Sequence, residues 1–316
     1  MTHVALVRIV FLSNILSFNV ARFRDIANNR LVHTSWKEAI EFYGKFEMWN
    51  YLANSNKILQ LFVKDSNLWL IRNCVERGRC DFTKKRTRRG EEENSPLHMA
   101  AQNGAMLLIK YLVRDLNFNT EIKDVFEWTP LITACYYDTP ESINILLECG
   151  ANIEASNRQN ATGLLTASLN GNEHSIRALF SGKVLPNIHA STVQGWSPLY
   201  VAAEHGHLGC LRALLDLGCD PNFSISQVYA LHAACTYGRH EFVDTLLKAG
   251  ANCNVVTSEG NTPLMYAAKR GCTICIQLLL DAGASKKMMN RIGETALSQV
   301  CISDCRWHAI IQMLKY

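Results

Sequence analysis

The 316-residue chain has no run of about 20 apolar residues, the length a helix needs to cross a bilayer, so no membrane insertion is expected. It also lacks an excess of either charge. Lys and Arg number 32 against 28 Asp and Glu, for a formal net charge of +4, so no nucleic acid is expected as partner. The short patterns that carry chemistry are missing too. There is no glycine-rich phosphate loop followed by Lys-Ser or Lys-Thr, no His-Glu-x-x-His and no Gly-x-Ser-x-Gly. Acidic residues and histidines are spread along the chain instead of gathering on one element. His205-Gly206-His207 straddles an expected helix end, where a solvated surface pair is the ordinary reading. These absences predict no catalytic residues and no cofactor, and the chain does not read as an enzyme.

What is present is a period. Ser95-Pro96-Leu97-His98-Met99-Ala100-Ala101, Thr129-Pro130-Leu131, Ser197-Pro198-Leu199-Tyr200-Val201-Ala202-Ala203 and Thr262-Pro263-Leu264-Met265-Tyr266-Ala267-Ala268 are copies of one element. Weaker copies begin at Thr162-Gly163-Leu164, Tyr229-Ala230-Leu231 and Thr295-Ala296-Leu297. Marker positions 96, 130, 163, 198, 230, 263 and 296 are 32 to 35 residues apart. Spacing in that range is the mark of a stacked-repeat solenoid. Eight residues past each marker comes Gly104, Asp138, Gly171, Gly206, Gly238 or Gly271, and 12 further comes Leu116, Gly150, Lys183, Gly218, Gly250 or Gly283. This spacing predicts two short antiparallel helices per repeat. Pro opens the first helix, where its missing N–H would have had no partner. Glycines end the helices where a left-handed residue is wanted. Leucine pairs such as Leu146-Leu147, Leu214-Leu215, Leu246-Leu247 and Leu279-Leu280 form an apolar face that no repeat can bury alone.

With proline, alanine, glycine and leucine recurring in register over residues 95–316, the chain resembles the ankyrin-repeat family. The resemblance implies an all-α solenoid of helix-turn-helix repeats joined by hairpin-like turns. It implies that His98 and His232 bridge turns by hydrogen bonds and are neither bases nor metal ligands. It also implies that a protein partner is bound in a concave groove, through the two residues before each first helix's end. In this chain those pairs are Gln102-Asn103, Tyr136-Tyr137, Leu169-Asn170, Glu204-His205, Thr236-Tyr237 and Lys269-Arg270. Tyr136, Tyr137 and Tyr237 supply rigid amphipathic area of the kind enriched in interface hot spots. Trp128 and Trp196 sit two residues before a marker, at the turn tips, where packing within the hairpin competes with partner contact.

The 12 cysteines fall largely into repeat register. Cys135, Cys235 and Cys301 share one position, Cys210 and Cys275 a second, Cys272 and Cys305 a third, as small apolar fillers do. Cys272-x-x-Cys275 with Cys301-x-x-x-Cys305 is the one group with metal-like spacing, but it matches no closed zinc module, and no metal is expected. So many scattered thiols argue for a reducing compartment, hence a cytoplasmic protein.

Upstream, residues 1–54 read as an N-terminal extension with a capping helix opened by Ser35-Trp36-Lys37-Glu38, and residues 55–94 as a degenerate capping repeat. Residues 1–24 contain no acid and three arginines, which fits either a targeting segment or an ordinary N-terminal helix. The turn before Pro96 carries Lys84, Lys85, Arg86, Arg88 and Arg89, either a solvated loop or a run read by nuclear import. Register predicts that the last second helix is just ending at Tyr316, which suggests a truncated product. Three roles follow by resemblance: a non-catalytic scaffold or adaptor, a substrate receptor of a cullin-type ubiquitin ligase as in SOCS-box ankyrin proteins, or the ankyrin array of a larger enzyme or channel. Asn222 and Asn254 sit where ankyrin asparagines can be hydroxylated.

Overall fold

The computed structural model describes residues 95–300 and 307–315, all within one of the chain's two units, Leu59–Tyr316. The expected capping helix, the degenerate repeat, the basic run 84–89 and the Cys301/Cys305 pair lie outside the described residues. From residue 95 the repeat phase becomes helix pairs: α1 (Pro96–Gln102) with α2 (Met106–Lys110), α3 (Pro130–Tyr136) with α4 (Pro140–Glu148), and α5 (Gly163–Asn170) with α6 (Glu173–Leu179). They continue as α7 (Pro198–His205) with α8 (Leu208–Asp216), α9 (Ala230–Thr236) with α10 (His240–Lys248), and α11 (Pro263–Arg270) with α12 (Thr273–Asp281). A final helix, α13, spans Trp307–Lys315. No β-strand occurs among the described residues, only an isolated antiparallel bridge between Ser156 and Thr162.

Every marker from 96 to 263 is the first helical residue. The residue before it accepts a hydrogen bond from the third backbone N–H at Ser95, Thr129, Thr162, Ser197 and Thr262. Each such cap contributes about 1 kcal/mol. At Tyr229 no hydroxyl is in reach, and α9 starts without a side-chain cap. The marker at Ala296 opens turns over 296–299, where Ser298 Oγ donates to the Thr295 carbonyl and accepts from its N–H.

Two leucine columns run through the stack. Leu97, Leu131, Leu164, Leu199, Leu231 and Leu264 follow the markers, and Leu112, Leu146, Leu179, Leu214, Leu246 and Leu279 sit on the second helices. All are buried, and truncating any to Ala is expected to cost about 2–5 kcal/mol. First helices pack on first helices and second on second, so one column belongs to each layer. Between the layers, Cys135 and Cys235 occupy the site that holds Ala101, Ser168, Ala203 and Ala268 elsewhere, all buried, which is the role of a small filler.

The unequal repeat lengths have visible causes. In the first repeat, residues Tyr111–Asp115 widen into a π-turn that takes in one extra residue. The closing bond, Ala151 N to Leu146 O in the second repeat, becomes Phe118 N to Leu112 O in the first, one residue longer. The left-handed residue therefore moves from the expected Leu116 to Asn117, with φ 54°. In the third repeat α6 stops at Leu179, two residues are added before Asn187, and Lys183 is not left-handed as its register implied. That insertion leaves Val184 and Leu185 exposed.

A latch fixes each first helix to the next repeat. Thr139 Oγ1 donates to the Ala101 carbonyl (2.8 Å), Asn172 Nδ2 to Cys135 and Tyr136 (2.8 and 2.7 Å), and His207 Nε2 to Leu169 (2.9 Å). Arg239 donates to the Ala203 and Glu204 carbonyls, adding its positive charge where the helix dipole is negative. His207, expected as a solvated neighbour of His205, is thus half-buried and structural. The last described latch, Cys272 Sγ to the Gly238 carbonyl at 3.8 Å, is the weakest of these five. Helix-end glycines serve this contact twice: Gly206 adopts φ +87°, and a Cβ there would lie 2.9 Å from Arg239 Cζ.

Candidate protein-binding site

The latches hold the C-terminal ends of the first helices in a row, and the six predicted contact pairs sit on those ends. Their exposure differs. Tyr136, Tyr137, Leu169, Asn170, His205, Thr236, Tyr237, Lys269, Arg270 and Asn103 are exposed, whereas Gln102 and Glu204 are half-buried. Three of the polar ones turn back onto their own helix: Asn103 Nδ2 donates to Met99 O, Asn170 Nδ2 to Thr166 O and Thr236 Oγ1 to His232 O, each at 2.8 Å. Those groups cap the helix end and have less to offer a partner.

The aromatic residues gather into two clusters. Trp128 lies 5.0 Å from Tyr136 between ring centroids, and Tyr136 lies 5.0 Å from Tyr137 in an edge-on arrangement. Trp128 is half-buried because its turn is tied down. Its N–H donates to Asp124 Oδ1 (2.8 Å), and its carbonyl accepts from His98 Nε2 (2.9 Å). The two tyrosines beside it stay 39% and 47% exposed, which leaves apolar ring area facing solvent from a braced base. Beyond Trp128, the turn tip adds exposed Val125 and Phe126, apolar residues that the helix-end pattern did not single out.

The second cluster forms around Tyr200. Trp196 stacks on it at 6.2 Å between ring centroids. Burial first, and the Glu204 carboxylate second, push the Tyr200 phenol up to about 12, so it stays a neutral donor at physiological pH. The Arg239 guanidinium lies 4.9 Å from the Tyr237 ring centroid while it latches α7, which orients the exposed ring by a cation–π contact. Tyr200 and Arg239 fell outside the contact pattern read from sequence, because they lie earlier on the helix or past its terminal glycine. Exposed Lys269 and Arg270 follow on α11, so the row runs from aromatic to basic.

The two motif histidines are structural. His98 accepts a bond from Ser95 Oγ at Nδ1 (2.8 Å) and donates from Nε2 to the Trp128 carbonyl of the next turn. His232 Nε2 donates to Asn261 O at 3.1 Å, while its buried Nδ1 has no partner. Burial lowers both, and takes His232 down to about 4. Among the described residues no three His, Cys, Asp or Glu side chains converge where a metal could bind, and no helix is long and apolar enough to cross a membrane. Asn222 and Asn254 also have structural work. Asn222 Oδ1 accepts from Asn252 N (2.7 Å), and Asn254 Oδ1 from Ser285 N (2.8 Å), joining successive repeats.

Stacked helix pairs with Ser/Thr-Pro caps and inter-repeat histidine bonds agree with what a family comparison finds. The model for ankyrin repeats matches three times, over residues 39–157, 154–225 and 231–315. The chain belongs to the ankyrin-repeat family. Among solved structures, the ankyrin domain of Bcl-3 superposes with a TM-score of 0.64 at 24% identity, covering 72% of this chain and 100% of that one. The human ASB11 ankyrin domain gives 0.60 at 29% identity, covering 70% and 98%. Of curated relatives, human ankyrin repeat and SOCS box protein 16 is 32% identical over 138 residues, 38% of this chain and 30% of that protein. Dog inversin is 25% identical over 207 residues, 64% of this chain and 19% of its own length. The chain thus spans less than a third of either relative. Arrays of this family are in general non-catalytic modules that engage other proteins.

Proposed function

We propose that this ankyrin-repeat chain is a scaffold or adaptor that binds a segment of a partner protein along the first-helix ends. The observation that carries this reading is the Trp128–Tyr136–Tyr137 cluster, in which the Tyr136 ring contacts both of the others and the two tyrosines are well exposed. Rigid aromatic area costs little side-chain entropy to immobilise, so it is well suited to a hot spot. The Tyr237 ring held by Arg239, and the basic pair Lys269-Arg270, extend the contact toward an apolar segment that ends in acidic residues. The test is affinity purification with mass spectrometry on the parent chain and on a Tyr136→Ala, Tyr137→Ala variant. A partner recovered by the parent and lost by an equally folded variant supports the reading. A partner kept by both moves the site to the turn tips or to the basic run Lys84, Lys85, Arg86, Arg88 and Arg89.

A second reading is favoured by the resemblance to ankyrin repeat and SOCS box protein 16 and to the ASB11 domain. A probable E3 ubiquitin-protein ligase of rice, XBOS32, is 34% identical over 160 residues, half of this chain and 31% of that protein. In that reading the same surface selects a substrate for ubiquitin transfer by an associated ligase. Recovery of ligase subunits by the parent chain would favour it, and recovery of other proteins alone would favour the adaptor. A cytoplasmic location, with nuclear entry through the basic run, completes the proposal. Unchanged distribution after replacing its five basic residues would remove the nuclear part.

A further inference from the structure

The position that latches each repeat to the one before holds Thr139, Asn172, His207 and Arg239 in turn, all of them nitrogen or oxygen donors to a carbonyl. At the last latch it holds Cys272, and three residues on, in the first turn of α12, stands Cys275. The two sulfurs are 3.1 Å apart. Cys272 is half-exposed and Cys275 fully buried, so an oxidant from solvent meets Cys272 first. Around it the surface is basic. Lys269 and Arg270 are exposed, and Arg270 lies with Cys272 against Gly238, both within 4 Å of where that glycine's Cβ would be.

We propose that Cys272 and Cys275 form a dithiol site that small anionic disulfides, of the glutathione disulfide class, oxidise to an intramolecular disulfide. Cys272 Sγ attacks one sulfur of the oxidant, the oxidant's S–S bond breaks, and one thiol leaves with the proton from Cys272. Cys275 Sγ then attacks Cys272 Sγ, expels the second thiol with its own proton, and closes the protein disulfide. Two protein thiols are oxidised, and one disulfide is reduced to two thiols. The spacing is that of a Cys-x-x-Cys pair opening a helix, with Cys272 at the cap and Cys275 in the first turn. Oxidation removes the Cys272 S–H, which is shared between Cys275 Sγ (3.1 Å) and the Gly238 carbonyl (3.8 Å), a loss that Thr139, Asn172, His207 and Arg239 cannot undergo.

The test is alkylation of the native chain after treatment with glutathione disulfide, followed by tryptic mapping of peptide 271–286, which contains these two cysteines and no others. The expected result is a peptide lighter by two hydrogens and closed to alkylation. In a Cys275→Ser variant the same treatment should trap glutathione on Cys272. Serine occupies the matching buried position at Ser142 and Ser175, so this variant retains a side chain the fold accepts. Full alkylation of both cysteines in the parent, or no glutathione adduct in Cys275→Ser, would overturn the proposal. Faster oxidation by the cationic disulfide cystamine would overturn the assignment to anionic disulfides.

Discussion

His98 and His232 occupy the same place in the motif, one in the first described repeat and one in the fifth, and both are buried with Nε2 bonded to the following turn. They differ at the other nitrogen. His98 Nδ1 meets Ser95 Oγ, the hydroxyl that also caps α1, whereas Tyr229 stands in that position before His232 and leaves Nδ1 orphaned. The cap residue therefore does two jobs in this fold. It satisfies a helix-end N–H and closes the hydrogen-bonding of a buried ring, so one substitution at the cap removes both contributions.

The largest effect that would sharpen this contrast is acidification. A histidine with a depressed folded value contributes stability that is fully present above the unfolded value near 6.5 and is lost as pH falls toward the folded value near 4. Over that window the unfolded chain takes up a proton that His232 refuses, and stability should fall by about 3 kcal/mol. Urea midpoints measured across it should flatten in His232→Gln; an unchanged slope would remove His232 as the cause. Next, Ser95→Ala should cost about 2 kcal/mol, combining a lost cap with an orphaned ring nitrogen. Thr129→Ala, where Ile132 replaces the histidine, should lose only about 1 kcal/mol, and equal losses would break the two-job account. In the opposite sense, Tyr229→Thr should stabilise the chain by about 1 kcal/mol by installing the missing hydroxyl, read as a raised urea midpoint. The smallest effect concerns the latch. Cys272→Thr should gain about 0.5 kcal/mol, because a hydroxyl such as Thr139 Oγ1 bonds a carbonyl better than a thiol at 3.8 Å.

Much of this was legible in the residues. The Pro, Gly and Leu registers place the starts of the first helices from Pro96 to Pro263, since proline is tolerated at a helix start and a left-handed end wants glycine, whereas the copy at Ala296 forms turns instead of a helix. The cysteine positions read as fillers are fillers at Cys135, Cys210 and Cys235, all buried, whereas Cys272, read the same way, is only half-buried. The misplacements came where the local pattern was silent. The π-turn at Tyr111–Asp115 adds a residue without any proline or glycine to announce it, and the early end of α6 follows from an insertion that only the spacing of Asn187 betrays. Among the site residues, the exposed tyrosines were visible as a pattern of positions, but their grouping was not. Tyr136 joins Trp128 from the preceding turn, while Tyr237 joins Arg239 from beyond the terminal glycine of its helix.

The repeat, its length and the starts of the first helices from Pro96 to Pro263 follow from the residues alone, because they depend on backbone preferences and apolar periodicity within about 33 residues. Only the tertiary structure decided which side chains bridge repeats: His98 to Trp128, Arg239 to Ala203, and the Cys272–Cys275 approach. Contacts between residues some 30 positions apart depend on how neighbouring repeats stack, and stacking is the step by which each apolar face is buried.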